Sequence, residues 1–230
     1  MNIQAVKDEL SSLIPLDSGG SYSLMWEMLH SISMLKYVKH LHLRLINPRF
    51  VKIGSKKKLQ QLCDLKYLKK TNDDAFIATN KTHSILDEVG YNRELLPKVS
   101  GKGGLNEIRN TDAFIRLMKE PFFNTFVYPR FPSENPYIKP DALMVLKDGN
   151  KYKLQFLEIE ASKYDWENYI LKKRNNYNRL AKDDIVYEYW QSVAEKLGIS
   201  VPKKSDFFFS VLFIGDIIFE WEDCFEFKRI

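Results

Sequence analysis

Hydrophobic residues in the first half of the chain recur at helical spacing, whereas in the second half they gather into dense extended runs. Leu24, Met25, Met28, Leu29 and Ile32 share one face of a 3.6-residue period and predict a helix. After Ser33, a residue able to cap, Leu35, Val38, Leu41 and Leu45 predict a second helix. Pro48 breaks the chain, and Leu59, Leu62, Cys63 and Tyr67 mark a third helix beginning near Ser55. Residues 65–70 and 75–79 then predict two short strands around the polar turn Thr71-Asn-Asp-Asp74, and residues 82–89 return as a helix.

The glycine-rich stretch from Pro97 to Gly104 is the candidate linker. Beyond it, Leu105, Ile108, Ala113, Ile115, Leu117 and Met118 suit a helix over 105–119, which Pro121 ends. An extended run at 122–128 leads to a proline-stiffened loop. Leu143 to Leu146 and Tyr152 to Ile159 then predict two strands joined as a hairpin by Asp148-Gly149-Asn150. Helices are expected over 164–181 and 184–197, the latter stopped by Gly198. Phe207 to Ile214 reads as a central strand, followed by edge structure at 216–221 and 224–227. These patterns predict a helix-rich domain over residues 1–97 and a separate α/β domain with a mixed sheet over 103–230.

With 44% hydrophobic and 13% aromatic residues in 230, the chain can form cores of this size. Formal charge is only +5, but residues 36–70 hold eleven Lys or Arg against one acid, Asp64. That local excess favours a polyanionic partner, with a solvated helix face as the plainer alternative. Cys63 and Cys224 stand alone and far apart, so no disulfide framework or thiolate zinc site is implied and a cytoplasmic, reducing setting is expected. The N-terminus lacks a signal-peptide core, and the apolar run at 207–219 is short and interrupted by Asp216, so no membrane association is expected. His30, His40, His42 and His83 show no metal-ligand spacing.

Three helices, a two-stranded wing and a further helix resemble the winged-helix class of helix-turn-helix domains. That resemblance implies double-stranded DNA as partner, with a helix in a groove and the wing on the backbone. Lys56, Lys57, Lys58 and Lys66 are the candidate phosphate contacts, since charge positions a duplex without specifying bases. A winged helix that binds protein, as a homodimer or with a replication partner, fits the same pattern.

Candidate chemistry lies in the second half. In a hairpin, Asp141 at the mouth of one strand comes beside Glu158 and Glu160, whose side chains share a face because the strand period is two. Such acids can hold Mg²⁺ or Mn²⁺ through hard oxygen donors, with Asp141 and Glu158 as ligands and a lysine steadying charge on a phosphodiester. The plainer readings are a strand cap at Asp141, a solvated strand face at Glu158 and Glu160, exposed helix charges at Lys163 and Lys173, and packing aromatics at Trp166 and Tyr177.

Pro140-Asp141, Glu158-Ile159-Glu160 and Lys173-Arg-Asn-Asn-Tyr177 together resemble the PD-(D/E)xK nuclease superfamily. With the N-terminal half, over residues 24–215, the chain is similar to the replication-relaxation family of plasmids and mobile elements. The resemblance implies a winged helix joined to a nuclease-like domain, a role in plasmid or mobile-element replication or maintenance, and Glu107 as the acid of the helix before the sheet. Glu160 stands where that superfamily usually carries lysine; Lys163, Lys172 or Lys173 then supplies the cation. Retained metal-dependent endonuclease activity and a catalytically inactive replication-control protein both agree with this departure.

Overall fold

The computed structural model describes residues 2–13, 22–99, 105–127, 138–159, 166–182, 184–215 and 225–229; side chains at 12, 105–109, 166, 215 and 225–229 lie outside the described set. The chain divides into two compact units, Met1–Met118 and Lys119–Ile230. The whole is a mixed α/β architecture with several helices and two sheets. Among the described residues no helix is long and apolar enough to cross a membrane.

In the first unit, helix α1 spans Ile3–Leu10 and α2 spans Tyr22–Leu35. Strand β1 is Val38–Lys39, α3 is His40–Ile46 and α4 is Lys56–Asp64. Strands β2, Leu68–Lys70, and β3, Ala75–Ala78, follow, then α5, Asn80–Glu88, and α6, Leu105–Leu117. The strands form an antiparallel sheet in the order β1-β3-β2. Its core is built from Met25, Met28, Leu29 and Ile32 of α2 with Leu59, Leu62, Ile85 and Leu86.

The second helix predicted from Leu35, Val38, Leu41 and Leu45 does not form in that phase. Ser33 caps nothing: it lies inside α2, where its hydroxyl donates to the Leu29 carbonyl at 2.9 Å. Helix α2 ends at Leu35 because Lys36 adopts a φ of 61°, and Val38 then pairs with Phe76 as a strand. The helical phase restarts at His40, so His42 and Leu43 are buried while Leu41 and Leu45 stand 73% and 51% exposed.

The helix expected to open the second domain belongs instead to the first unit. Thr111 of α6 is buried, and its hydroxyl lies within donating distance of the carbonyls of Tyr37 at 2.6 Å and Leu35 at 3.1 Å, just beyond and at the end of α2. His42 Nε2 meets Asp112 Oδ1 at 3.2 Å. Residues 100–104 of the expected linker lie outside the described residues.

Helix α1, capped by Asn2 and burying Val6 and Leu10, is also tied to this unit by side chains distant in sequence. Its Glu9 carboxylate accepts from the Tyr67 hydroxyl and from Lys81 Nζ, and Lys81 also reaches the Leu65 carbonyl at 3.0 Å. Gly54 marks a close approach: a Cβ there would lie 2.6 Å from Leu43 Cδ1 and 2.9 Å from the Phe50 carbonyl oxygen. Backbone cannot yield as a side-chain tip can, so Gly54→Ala is expected to cost about 1–3 kcal/mol. A urea titration of both proteins checks this.

The second unit contains β4, Phe123–Val127, β5, Ala142–Asp148, and β6, Lys151–Ile159. Helices α7, Trp166–Leu180, and α8, Ile185–Leu197, precede β7, Phe209–Gly215, and β8, Phe225–Arg229. The sheet order is β4-β5-β6-β7-β8; the first three strands are antiparallel, whereas β7 runs parallel to β6 and β8 parallel to β7. Asp148 pairs with Lys151 across a tight turn whose Gly149 takes a φ of 58°, a conformation that favours glycine. Among the described residues, Phe156, Phe213, Tyr177 and Trp190 are the largest wholly buried side chains of this unit.

Candidate functional site

Strand register creates the carboxylate site. Ala142 pairs with Leu157, so one step outward Asp141 lies opposite Glu158, and paired residues point to one face of a sheet. The ladder continues through Asp141 itself: its amide donates to the Leu157 carbonyl at 2.9 Å, and its Oδ2 accepts from the Ile159 amide at 2.7 Å. Asp141 therefore closes the end of the hairpin while remaining half-buried.

Glu158 is 1% exposed, a position a carboxylate occupies only with partners. Helix α7 supplies two of them, four residues apart and hence on one helix face. Lys173 Nζ donates to Oε2 at 2.7 Å and the Tyr177 hydroxyl donates to Oε1 at 2.6 Å. The Tyr177 ring packs on Phe156, two residues before Glu158 on the same strand face, with centroids 5.4 Å apart. Lys173 Nζ also lies 5.7 Å from the centre of the Tyr169 ring.

Burial raises the Glu158 pKa to about 7; Lys173 and Tyr177 pull it down without prevailing, and the neighbouring Asp141 charge pushes it further up. Tyr177 is raised well above the usual phenol range, first by burial and then by Glu158. Because the folded pKa of Glu158 exceeds that of a free glutamate, the native state holds the extra proton between pH 4.5 and about 7. Stability is therefore expected to fall as pH rises through that window, by about 3 kcal/mol from this group alone, and to level above it. Glu158→Gln should flatten the profile in urea titrations at pH 5, 7 and 8.

Asp141, Glu158 and Lys173 are thus brought together. Glu160 and Lys163 lie outside the described residues. Glu107 falls on α6 in the first unit, and its side chain lies outside the described residues. Among the described residues no group of three or more His, Cys, Asp or Glu assembles for a metal. Asp141 and Glu158 are neighbouring carboxylates on adjacent strands, and carboxylate oxygen is the donor type that hard divalent cations take. Tyr177 gained a role that the apolar pattern hid, since a buried tyrosine reads as packing; its four-residue spacing from Lys173 was the available signal.

The basic segment forms a second candidate site, on the first unit. Ser55 caps α4 by accepting from the Lys58 amide, while Leu59 and Leu62 bury one helix face. Lys56 and Lys57 are exposed on the other side, with Lys66, Lys69 and Lys70. Lys58 differs: its Nζ donates to the Lys52 carbonyl at 2.9 Å, so part of its role is to fasten the turn before α4. Lys66 takes a φ of 65° where the chain leaves α4. In the β2–β3 turn, the Asp74 pKa is lowered first by its hydrogen bond to Lys70, with Lys56 and Lys39 adding to the pull. Lys39 of β1, Lys56 of α4 and Lys70 of β2 therefore all lie near Asp74.

Comparison with protein-family models, with curated proteins and with solved structures found no match to the chain.

Proposed function

We propose that the protein is a DNA-binding protein of plasmid or mobile-element replication or maintenance, acting in the cytoplasm. In this reading the first unit is a winged helix and the second a PD-(D/E)xK nuclease-like domain that makes metal-dependent cuts in double-stranded DNA. The element order from α2 to β3 and the sheet order β1-β3-β2 support the first part. The observation that carries the second is the Lys173–Glu158 pair at 2.7 Å beside Asp141. Two acids and a lysine meet although Glu160 stands at the usual lysine position, because α7 delivers the cation from the next element.

Asp141 and Glu158 would hold Mg²⁺ or Mn²⁺, which when bound polarises a phosphodiester and acidifies water. The chain's own residues do the rest. Asp141 is held in one orientation by the Ile159 amide. Tyr177 fixes one Glu158 oxygen, so that carboxylate cannot rotate away. Lys173 has three N–H donors, enough to serve Glu158 and a phosphate oxygen together and offset developing negative charge.

A second reading, a replication-control protein that binds DNA without cutting, draws on a specific feature: both Glu158 oxygens already accept from donors at a nearly inaccessible position. Titration with Mn²⁺, followed by its electron-spin resonance signal, tests the nuclease reading. One ion bound per chain, and lost in Asp141→Ala, is expected. No binding at millimolar Mn²⁺ with duplex affinity intact would favour the non-cutting protein.

A further inference from the structure

The exposed face of α4 carries an amide among its charges. Lys56, Lys57, Gln60 and Asp64 are all exposed, with positions 56, 60 and 64 one turn apart on a single stripe. Lysines at such a face read phosphate, and they say nothing about sequence. Gln60 is different, because Asp64 holds it: Gln60 Nε2 donates to Asp64 Oδ1 at 3.0 Å. A carboxylate accepts only, so the pairing fixes which end of the amide is nitrogen and how the amide is rolled. Among the described residues no other partner takes the remaining N–H or the carbonyl oxygen of Gln60. The side chain is thus left offering one N–H donor and its carbonyl acceptor.

That pair complements the major-groove edge of adenine, where N6 donates and N7 accepts. Asp64 also restricts what can lie opposite this stripe. Its negative charge repels phosphate, so the middle and end of α4 suit a groove better than a strand backbone, whereas Lys56 and Lys57 at the helix start suit the backbone. Resting on the DNA-binding reading above, we propose that Gln60 reads an adenine in the major groove of the bound duplex, with Asp64 as the residue that positions its amide. The ligand is then a duplex with a preferred A·T pair.

Selection of bound sites from a pool of randomised duplexes, using the full chain, tests this. The wild type should enrich adenine at one position by about fivefold to a hundredfold. Gln60→Ala should lose that enrichment while affinity for random duplex stays within about twofold, because phosphate contacts are untouched. Asp64→Ala should weaken the adenine preference and at the same time raise affinity for random duplex, a split that a merely helix-stabilising pair would not produce. Gln4→Ala is the control, since Gln4 pairs with Asp8 at the same spacing on α1. Replacing the selected adenine with 7-deaza-adenine should weaken wild-type binding and leave Gln60→Ala unchanged. A preference that survives Gln60→Ala, or no base preference with lysine-dependent binding intact, overturns the inference and leaves the DNA-binding reading standing. Absence of duplex binding at low salt overturns both.

Discussion

Reversing Lys56, Lys57 and Lys58 to glutamate is expected to lower affinity for double-stranded DNA by at least about a hundredfold at low salt, with similar losses across sequences. Three cations on one helix would contact phosphates and release counterions, and three anions would add repulsion. Fluorescence anisotropy over a salt series should show the slope of log affinity against log salt reduced by about two to three. The single reversals should differ. Lys56 and Lys57 are exposed, whereas Lys58 is committed to the Lys52 carbonyl, so Lys58→Glu should lower stability as well as affinity. Binding unchanged by the triple reversal would move the contact away from α4 and favour a protein-binding winged helix.

Lys173→Ala is expected to destabilise the second unit by about 2–3 kcal/mol at pH 8, because it removes the cationic partner of a buried carboxylate. The loss should shrink toward pH 5, where Glu158 escapes by holding a proton. Combining Lys173→Met with Glu158→Gln should restore most of the stability, since no unpaired charge remains inside. Urea titrations of the single and double variants at the two pH values separate this ion pair from generic loss of packing. A cost independent of pH would mean that the lysine stem, rather than its charge, is what the site needs.

The hairpin was legible because two apolar runs flank a turn that only a few residue types can make, and Asp148 to Lys151 closes as expected. Asp141 and Glu158 followed from that register. Lys173 was legible as one of several cations near the following turn, but only the packing of Tyr177 on Phe156 sets which helix residue reaches the acid. The end of α2 was not legible. Leu35 and Val38 kept helical spacing across a residue, Lys36, whose positive φ no side-chain pattern announces. The placement of α6 was hidden for a similar reason: Thr111 looks like any polar helix residue until the carbonyls of Tyr37 and Leu35 stand opposite it. Helix α1 carries a local signal in the Asn2 cap and the Ile3, Val6, Leu10 spacing, but its ties to Tyr67 and Lys81 are beyond what local periodicity can reveal.

Whether the carboxylate pair cuts DNA is decided by incubating the protein with supercoiled plasmid and Mg²⁺ or Mn²⁺, beside Asp141→Ala and Glu158→Ala under identical conditions. The wild type is expected to convert the plasmid to nicked circles in a metal-dependent way, and both variants to lose this while retaining duplex binding. No cutting by the wild type in either metal, while it binds DNA normally, would contradict the nuclease reading, as would cutting that persists without Asp141.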